Sequence, residues 1–367
     1  MGLLSRLVDR RLHTFPPPVG AAGADARRLH QQSPVVDLVV GSALFRDDFL
    51  TPQPHGHVDL ARLREGGVNL VGLTIATRHP DLRGTLSGLH FHSLGMPRAI
   101  AGGGSNMAIA EWLVRRIEAW ADGSEDRLRI VRTSADLAAC LEPDGPVGAF
   151  IGVQGGHVLD GRATNVELLH ELGVRMFAPA HVMDNELVGS GTGRRRGGLT
   201  AYGREVIARL ENANVLVDLA HMSVAGISDS LKVVQRPFVL SHTGLTELSG
   251  RASRWRRYSP ATRNIPASLA GEVAAAGGLV GVILATQLLG GHSLEHATNA
   301  FRLALSVAGR HAVALGSDMD GGLRSVVDAA GLPLLTQHLL ASGISDGDVR
   351  AVIGGNALRT LAGAFPA

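Results

Sequence analysis

Short apolar runs of strand length recur along the chain, and stretches of helical spacing separate them. The runs cover residues 35–40, 68–75, 147–153, 174–178, 215–219, 238–240, 279–284 and 312–315. Between them lie amphipathic patterns such as 106–120 and 199–212. Eight strand candidates alternating with helices predict an α/β chain, a (β/α)8 TIM-like barrel rather than an open sheet. With 367 residues, 47 of them glycine, the chain has core enough for one large domain and glycines enough for its turns. Residues 1–33 read as a helical or irregular arm, with a short amphipathic helix ending at the prolines of MGLLSRLVDRRLHTFPPP. Residues 34–367 read as a single barrel domain. The closing stretch, 346–361, reads as a capped helix, then Gly354-Gly355, then a second helix.

The residues at the ends of the runs are chemically selective. Residues 174–178 lead into Pro179-Ala180-His181, 215–219 into Ala220-His221-Met222-Ser223, and 238–240 into Ser241-His242-Thr243. Residues 312–315 lead into Gly316-Ser317-Asp318-Met319-Asp320-Gly321. One histidine after one strand would be a hydrogen-bonded structural residue. Three histidines and an aspartate after four strands converge on one face of a barrel, and there they make a metal or acid–base site. The run in FIGVQGGHVLD, residues 150–160, also stops at glycines, but the polar residue at its end is the neutral Gln154.

Composition removes other classes. The net charge is +2, Lys232 is the only lysine, and no basic stripe alternates with aromatics, so no nucleic-acid footprint is present. The dense run Arg194-Arg195-Arg196 sits in a glycine-rich loop and reads as solvated. AGGGSN, residues 101–106, lacks the lysine and spacing of a phosphate loop. A single cysteine, Cys140, excludes a disulfide framework and a thiolate metal site. No signal peptide or membrane span is evident, so a soluble cytoplasmic protein is expected.

Taken in order, the pieces HVDLARLREGGV, GVQGGH, LGVRMFAPAHVMDNE, LTAYGREVI, VDLAHMS, LSHTG, RNIP, LGSDMDG and IGGNALRTLAG resemble the membrane (renal) dipeptidase family, peptidase family M19, among the amidohydrolase-like barrels. The resemblance runs from about Pro34 to Leu361. It implies zinc-dependent hydrolysis of dipeptides and a homodimer. His221 and His242 match the two histidines that hold one zinc. His181 matches the histidine that polarises the scissile carbonyl, Arg263 the arginine that grips the substrate carboxylate, and Asp318 the aspartate that relays protons.

The chain departs from the family where the other zinc is held. The family's His-x-Asp pair at the end of the first strand aligns with Val39 and Gly41, and its bridging glutamate aligns with Gln154. Valine has no donor atom, glycine has no side chain, and glutamine offers one neutral oxygen to hold two cations together. One zinc at most is expected, on His221, His242, Gln154 and a water, or no metal at all. His57-Val58-Asp59 is also a His-x-Asp string, but it opens a helical pattern and reads as a helix cap. His55 and His157 read as surface or supporting residues, and Asp37, inside the first strand, as a satisfied structural acid. The sequence thus leaves two functions. One is a hydrolase of dipeptides or N-acyl amino acids with impaired or single-metal chemistry. The other is a pseudoenzyme or metal-free acid–base protein that binds an amino-acid-like metabolite.

Overall fold

The computed structural model describes residues 10–16, 20–78, 104–249 and 260–366. Its strands are β1 (Val36–Val40), β2 (Leu70–Ile75), β3 (Leu128–Ile130), β4 (Val147–Gln154), β5 (Val174–Ala178), β6 (Leu216–Val217), β7 (Val239–Thr243), β8 (Leu279–Val282) and β9 (Val313–Leu315). All pairings between them are parallel. They run β1-β2-β4-β5-β6 in one sheet and β7-β8-β9 in another. Single parallel bridges join the two sheets at both seams, Asp218 to Val239 and Val40 to Met319. Eight strands therefore close into a barrel, as their alternation with helices requires.

The strand missed in the sequence is β3. It has only three residues and pairs with the first residues of β4, too short to show an apolar period. A second difference lies in β7, which continues through Ser241 and His242 instead of stopping at Leu240. Polar residues sit in a strand here because their side chains find partners inside the protein.

Two layers of apolar side chains hold the barrel. Val36, Leu38, Leu70, Phe150, Met176, Leu216, Val239, Leu279 and Ala314 form one buried cluster with Ala357, Leu361 and Phe365 of the C-terminal segment. A larger cluster packs the other strand faces against the helices, with Val71, Leu73 and Ile75 of β2 and Ala149, Ile151 and Val153 of β4 among its members. Alternation along β4 puts Gln154 on the face of Phe150, toward the barrel interior.

The C-terminal segment corrects another expectation. Helix Asp346–Arg350 does not break at Gly354-Gly355 but passes through a wider turn, Ala351–Gly355, into helix Asn356–Ala362. A Cβ on Gly354 would lie 2.1 Å from the Pro34 carbonyl oxygen. That glycine is there for close packing against the start of β1, not to end a helix.

The arm is tied to the barrel where it is described. Residues 10–12 are helical, while 1–9 and 17–19, the rest of the helix expected there, lie outside the described residues, as do 101–103 of the AGGGSN stretch. Helix Ala24–Gln31 packs on helix Leu332–Ala341 through His30 Nδ1 and Thr336 Oγ1 at 2.7 Å. No helix among the described residues is long and apolar enough to cross a membrane.

Candidate active site

His181 and His221, which follow β5 and β6, and His242, near the end of β7, meet at the carboxyl end of the barrel. The rings of His181 and His221 pack edge to face with centroids 4.6 Å apart, and those of His221 and His242 at 4.9 Å. His221 Nε2 and His242 Nε2 share a hydrogen bond of 2.9 Å. Arg263, in the short helix Pro260–Arg263, donates from Nη2 to the His242 carbonyl oxygen at 2.8 Å. The residue is only 4% exposed, so its charge acts at close range on the whole group.

Backbone geometry aims these side chains. His221 has φ 65° and Asp318 φ 57°, left-handed conformations that cost energy in a non-glycine residue and turn the chain sharply out of its strand. Neighbouring backbone holds each turn. Gly191 N donates to His221 O at 2.8 Å, and Asp318 N donates to Val39 O at 3.0 Å.

Electrostatics separates the groups. Burial, with the Arg263 charge beside it, pushes the His181 imidazole down to about 3. The same causes hold His221 and His242 well below the ordinary histidine value. All three are therefore neutral at physiological pH, the form in which imidazole donates a hydrogen bond or a lone pair. Asp318 moves the other way. Burial raises it to about 7, and Asp37 adds to the rise while Arg263 opposes it.

Two supporting acids lie behind the site, Asp37, read in the sequence as a satisfied structural acid, and Asp218, which the sequence did not single out. Asp218 accepts from Ser241 N and Ala220 N, each at 2.9 Å, and from Ser241 Oγ at 2.5 Å. Asp37 repeats the device at the β1–β9 seam, accepting from Ser317 N at 2.8 Å and from Ser317 Oγ. Burial raises Asp37 to about 6. The motif VDL occurs at both aspartates, and each clamped serine precedes a site residue, His242 or Asp318. The same VDL recurs at Val58-Asp59-Leu60, where the aspartate caps a helix, so the motif alone does not mark a clamp.

The first-strand end is built differently. Val39 is fully buried in the apolar cluster that includes Val36 and Leu38. A Cβ on Gly41 would lie 2.6 Å from Asp320 O and 2.8 Å from Gly321 Cα. No side chain enters there unless the 318–321 backbone moves. Asp320 faces away into a second polar cluster. It accepts from Ser42 Oγ at 2.9 Å, from Arg46 Nε and Nη2 at 3.2 and 3.4 Å, and from His57 N at 2.7 Å. His13 Nδ1 lies 3.7 Å from the same carboxylate. His57 is bound up here, accepting at Nδ1 from Asp320 N. Asp59 caps helix Leu60–Glu65 by accepting from Arg62 N at 2.9 Å.

Gln154 is 7% exposed at the end of β4, beside Ala178 of β5. Its amide is not a partner of either imidazole. His221 Nε2 and His242 Nε2 pair with each other, His242 Nδ1 meets Ser241 Oγ, and His221 Nδ1 is buried with no partner. His157, beyond the Gly155 turn, is 8% exposed and is lowered to about 4 by burial and the charge of Arg78. His55 is exposed. Arg194, Arg195 and Arg196 are exposed too, on a loop whose backbone amides at 195 and 196 bind Asp184.

These donors do not fit a pair of metal ions. Val39 and Gly41 contribute none, and no bridging carboxylate stands at Gln154. Among the described residues no group of three or more His, Cys, Asp or Glu side chains is disposed to hold an ion. For one ion the donor set is the two converging imidazole nitrogens, with the Gln154 amide oxygen on the same barrel end as the only neutral supplement from the aligned positions.

The model of one protein family, "Membrane dipeptidase (Peptidase family M19)", matches residues 23–364. A dipeptidase of Aspergillus oryzae, aclJ, is 30% identical over 227 residues, covering 59% of this chain and 51% of its own. The chain thus spans about half the length of that relative. Among solved structures, the probable dipeptidase PvdM of Pseudomonas aeruginosa superposes with a TM-score of 0.75 at 16% identity, over 93% of this chain and 98% of its own. A metallopeptidase of Rhodobacter sphaeroides, liganded with a phosphinate mimic of the dipeptide L-Ala-D-Ala, superposes with a TM-score of 0.73 at 21% identity, over 90% and 98%. At these identities the superpositions speak for the barrel fold.

Proposed function

The chain belongs to the membrane dipeptidase family, peptidase family M19, and from that premise we propose that it acts on dipeptides or N-acyl amino acids through a site holding one zinc at most. The observation that carries this reading is the buried Arg263 beside three neutral imidazoles and an acid raised to about 7. That set suits a small ligand with a carboxylate and an adjacent amide.

The roles follow from charge and protonation. Arg263 gives one N–H to His242 O, and the fork of a guanidinium in a dry pocket grips a carboxylate in bidentate fashion. His181, neutral and near the carbonyl of a ligand so held, donates an N–H to the oxygen as it gains charge. Asp318 changes protonation near neutrality, so it takes a proton from water and returns it to the departing amine. His221 and His242, with the Gln154 amide, are the residues to hold an ion. A bound zinc would supply a water of lowered pKa.

A second reading has its own support. The 2.9 Å hydrogen bond between His221 and His242 satisfies both Nε2 atoms without an ion. The pocket then binds its amino-acid-like ligand metal-free.

Metal per chain, measured by elemental analysis after zinc loading and desalting, tests the proposal. One zinc, lost in His221→Ala, with hydrolysis in a dipeptide screen that a chelator stops, supports the single-ion hydrolase. No zinc, with a phosphinate dipeptide mimic bound equally with and without chelator and not bound by Arg263→Met, favours the second reading. Two zincs per chain overturn both.

A further inference from the structure

We propose that Asp218, acting through Ser241, fixes His242 in the tautomer with the proton on Nδ1 and the lone pair on Nε2. Counting protons gives this direction. Asp218 receives two backbone N–H groups, from Ser241 and Ala220, at 2.9 Å each, and lies 2.5 Å from Ser241 Oγ. Burial raises the Asp218 carboxyl, while the Ser241 hydroxyl, the two backbone N–H groups and the Arg263 charge oppose that rise; as a carboxylate it only accepts, so the single hydroxyl proton of Ser241 points at Asp218. Ser241 Oγ is also 2.8 Å from His242 Nδ1. With its proton committed, the hydroxyl must accept there, and Nδ1 must carry the hydrogen. His242 Nε2 is then a lone pair, and the 2.9 Å contact obliges His221 Nε2 to donate to it. His221 Nδ1 is left as a bare acceptor, and it is the ring atom found buried with no partner.

Asp218 and Ser241 are thus positioning residues. They touch no ligand, but they present a preformed nitrogen lone pair to whatever enters beside His221. Histidines that bind metals are commonly held this way through their other nitrogen. The tautomer is a property of the protein alone. Its consequence for zinc rests on the single-ion reading above, so the two are measured separately.

Histidine-labelled protein, free of metal, is examined by two-bond 1H–15N correlation NMR, which distinguishes the tautomers, with His242→Asn supplying the assignment. His242 should appear as the Nδ1–H form. In Ser241→Ala it should shift to the Nε2–H form or a mixture, while Ser241→Thr, which keeps the hydroxyl, should retain Nδ1–H. An Nε2–H signal for His242 in the native chain overturns the proposal whether or not Ser241→Ala folds. An unchanged Nδ1–H signal in a folded Ser241→Ala also overturns it. Zinc affinity is read afterwards by competition with a chromophoric chelator. A fall on the order of 10- to 100-fold in Ser241→Ala is expected. Should the native chain bind no zinc, the single-ion reading fails and the tautomer result stands.

Discussion

Asp318 and Asp320 are two residues apart in one loop, and the barrel treats them in opposite ways. Asp320 is fully buried but receives a guanidinium, a serine hydroxyl and a backbone amide, and His13, Arg46 and His57 hold its carboxyl well below the usual range. Asp318 has no such set of partners among the described residues; it feels the charges of Arg263 and Asp37, Arg263 offsets only part of the cost of burial, and its carboxyl rises to about 7. Both residues adopt left-handed backbone, φ 57° and 55°, so the turn does not make the difference. The partners do. A satisfied acid is a structural ion, and an under-satisfied one is a group ready to exchange a proton.

The largest effect should come from breaking the satisfied side. Asp320→Ala removes the buried carboxylate on which Arg46, Ser42 and His57 converge and should cost about 3–5 kcal/mol in urea unfolding. If Asp320→Ala unfolds at the native midpoint, the two acids are not different in kind.

Next is the seal between the two clusters. Gly41→Ala drives a methyl to within 2.6 Å of Asp320 O, and overpacking of this kind costs about 1–3 kcal/mol. The same obstruction means that placing aspartate at 41, with histidine at 39 and glutamate at 154, should not by itself restore a second zinc. Metal content of the triple variant measures this.

The two acids should also carry opposite pH signatures. The carboxyl of Asp320 is depressed on folding, so its stabilisation is present above about pH 4, the unfolded value, and is lost as pH falls through the folded value. Asp318 is raised, so the folded chain holds its proton between about pH 4 and 7. Its contribution to stability is therefore most favourable below that window and declines as pH rises through it. In Asp318→Asn this decline should vanish, leaving a more stable protein at pH 8 and, on the proposed single-ion reading, no dipeptide hydrolysis. Urea midpoints at several pH values would show it.

The smallest effect marks the rim of the satisfied cluster. Asp59→Ala removes the cap of helix Leu60–Glu65 and should cost about 0.5–2 kcal/mol. Zinc content should not change, because the His57–Asp59 string lies in the structural cluster and not in the pocket.

Much of this was legible in the chain. Strand-length apolar runs alternating with helices dictate a closed parallel barrel, since each strand buries both faces. A polar residue directly after such a run must emerge at the barrel's carboxyl end, which marks His181, His221, His242 and Asp318 before any coordinates are known. The reading of Val39, Gly41 and Gln154 as departures from the family's ligands rests on the letters alone. Other features were not legible, because they depend on contacts between segments far apart in sequence. Ser241 meets Asp218 across two strands, and Asp320 meets Arg46 and His57 across more than 260 positions. Only packing decides which of two nearby aspartates is paired and which is left to titrate. Gly41 reads as a lost ligand in the sequence; the 318–321 backbone pressed against it makes the position closed. Local pattern sets where a side chain emerges, because strand alternation is a property of the backbone. What that side chain does there is set by the partners that the closed barrel brings to it.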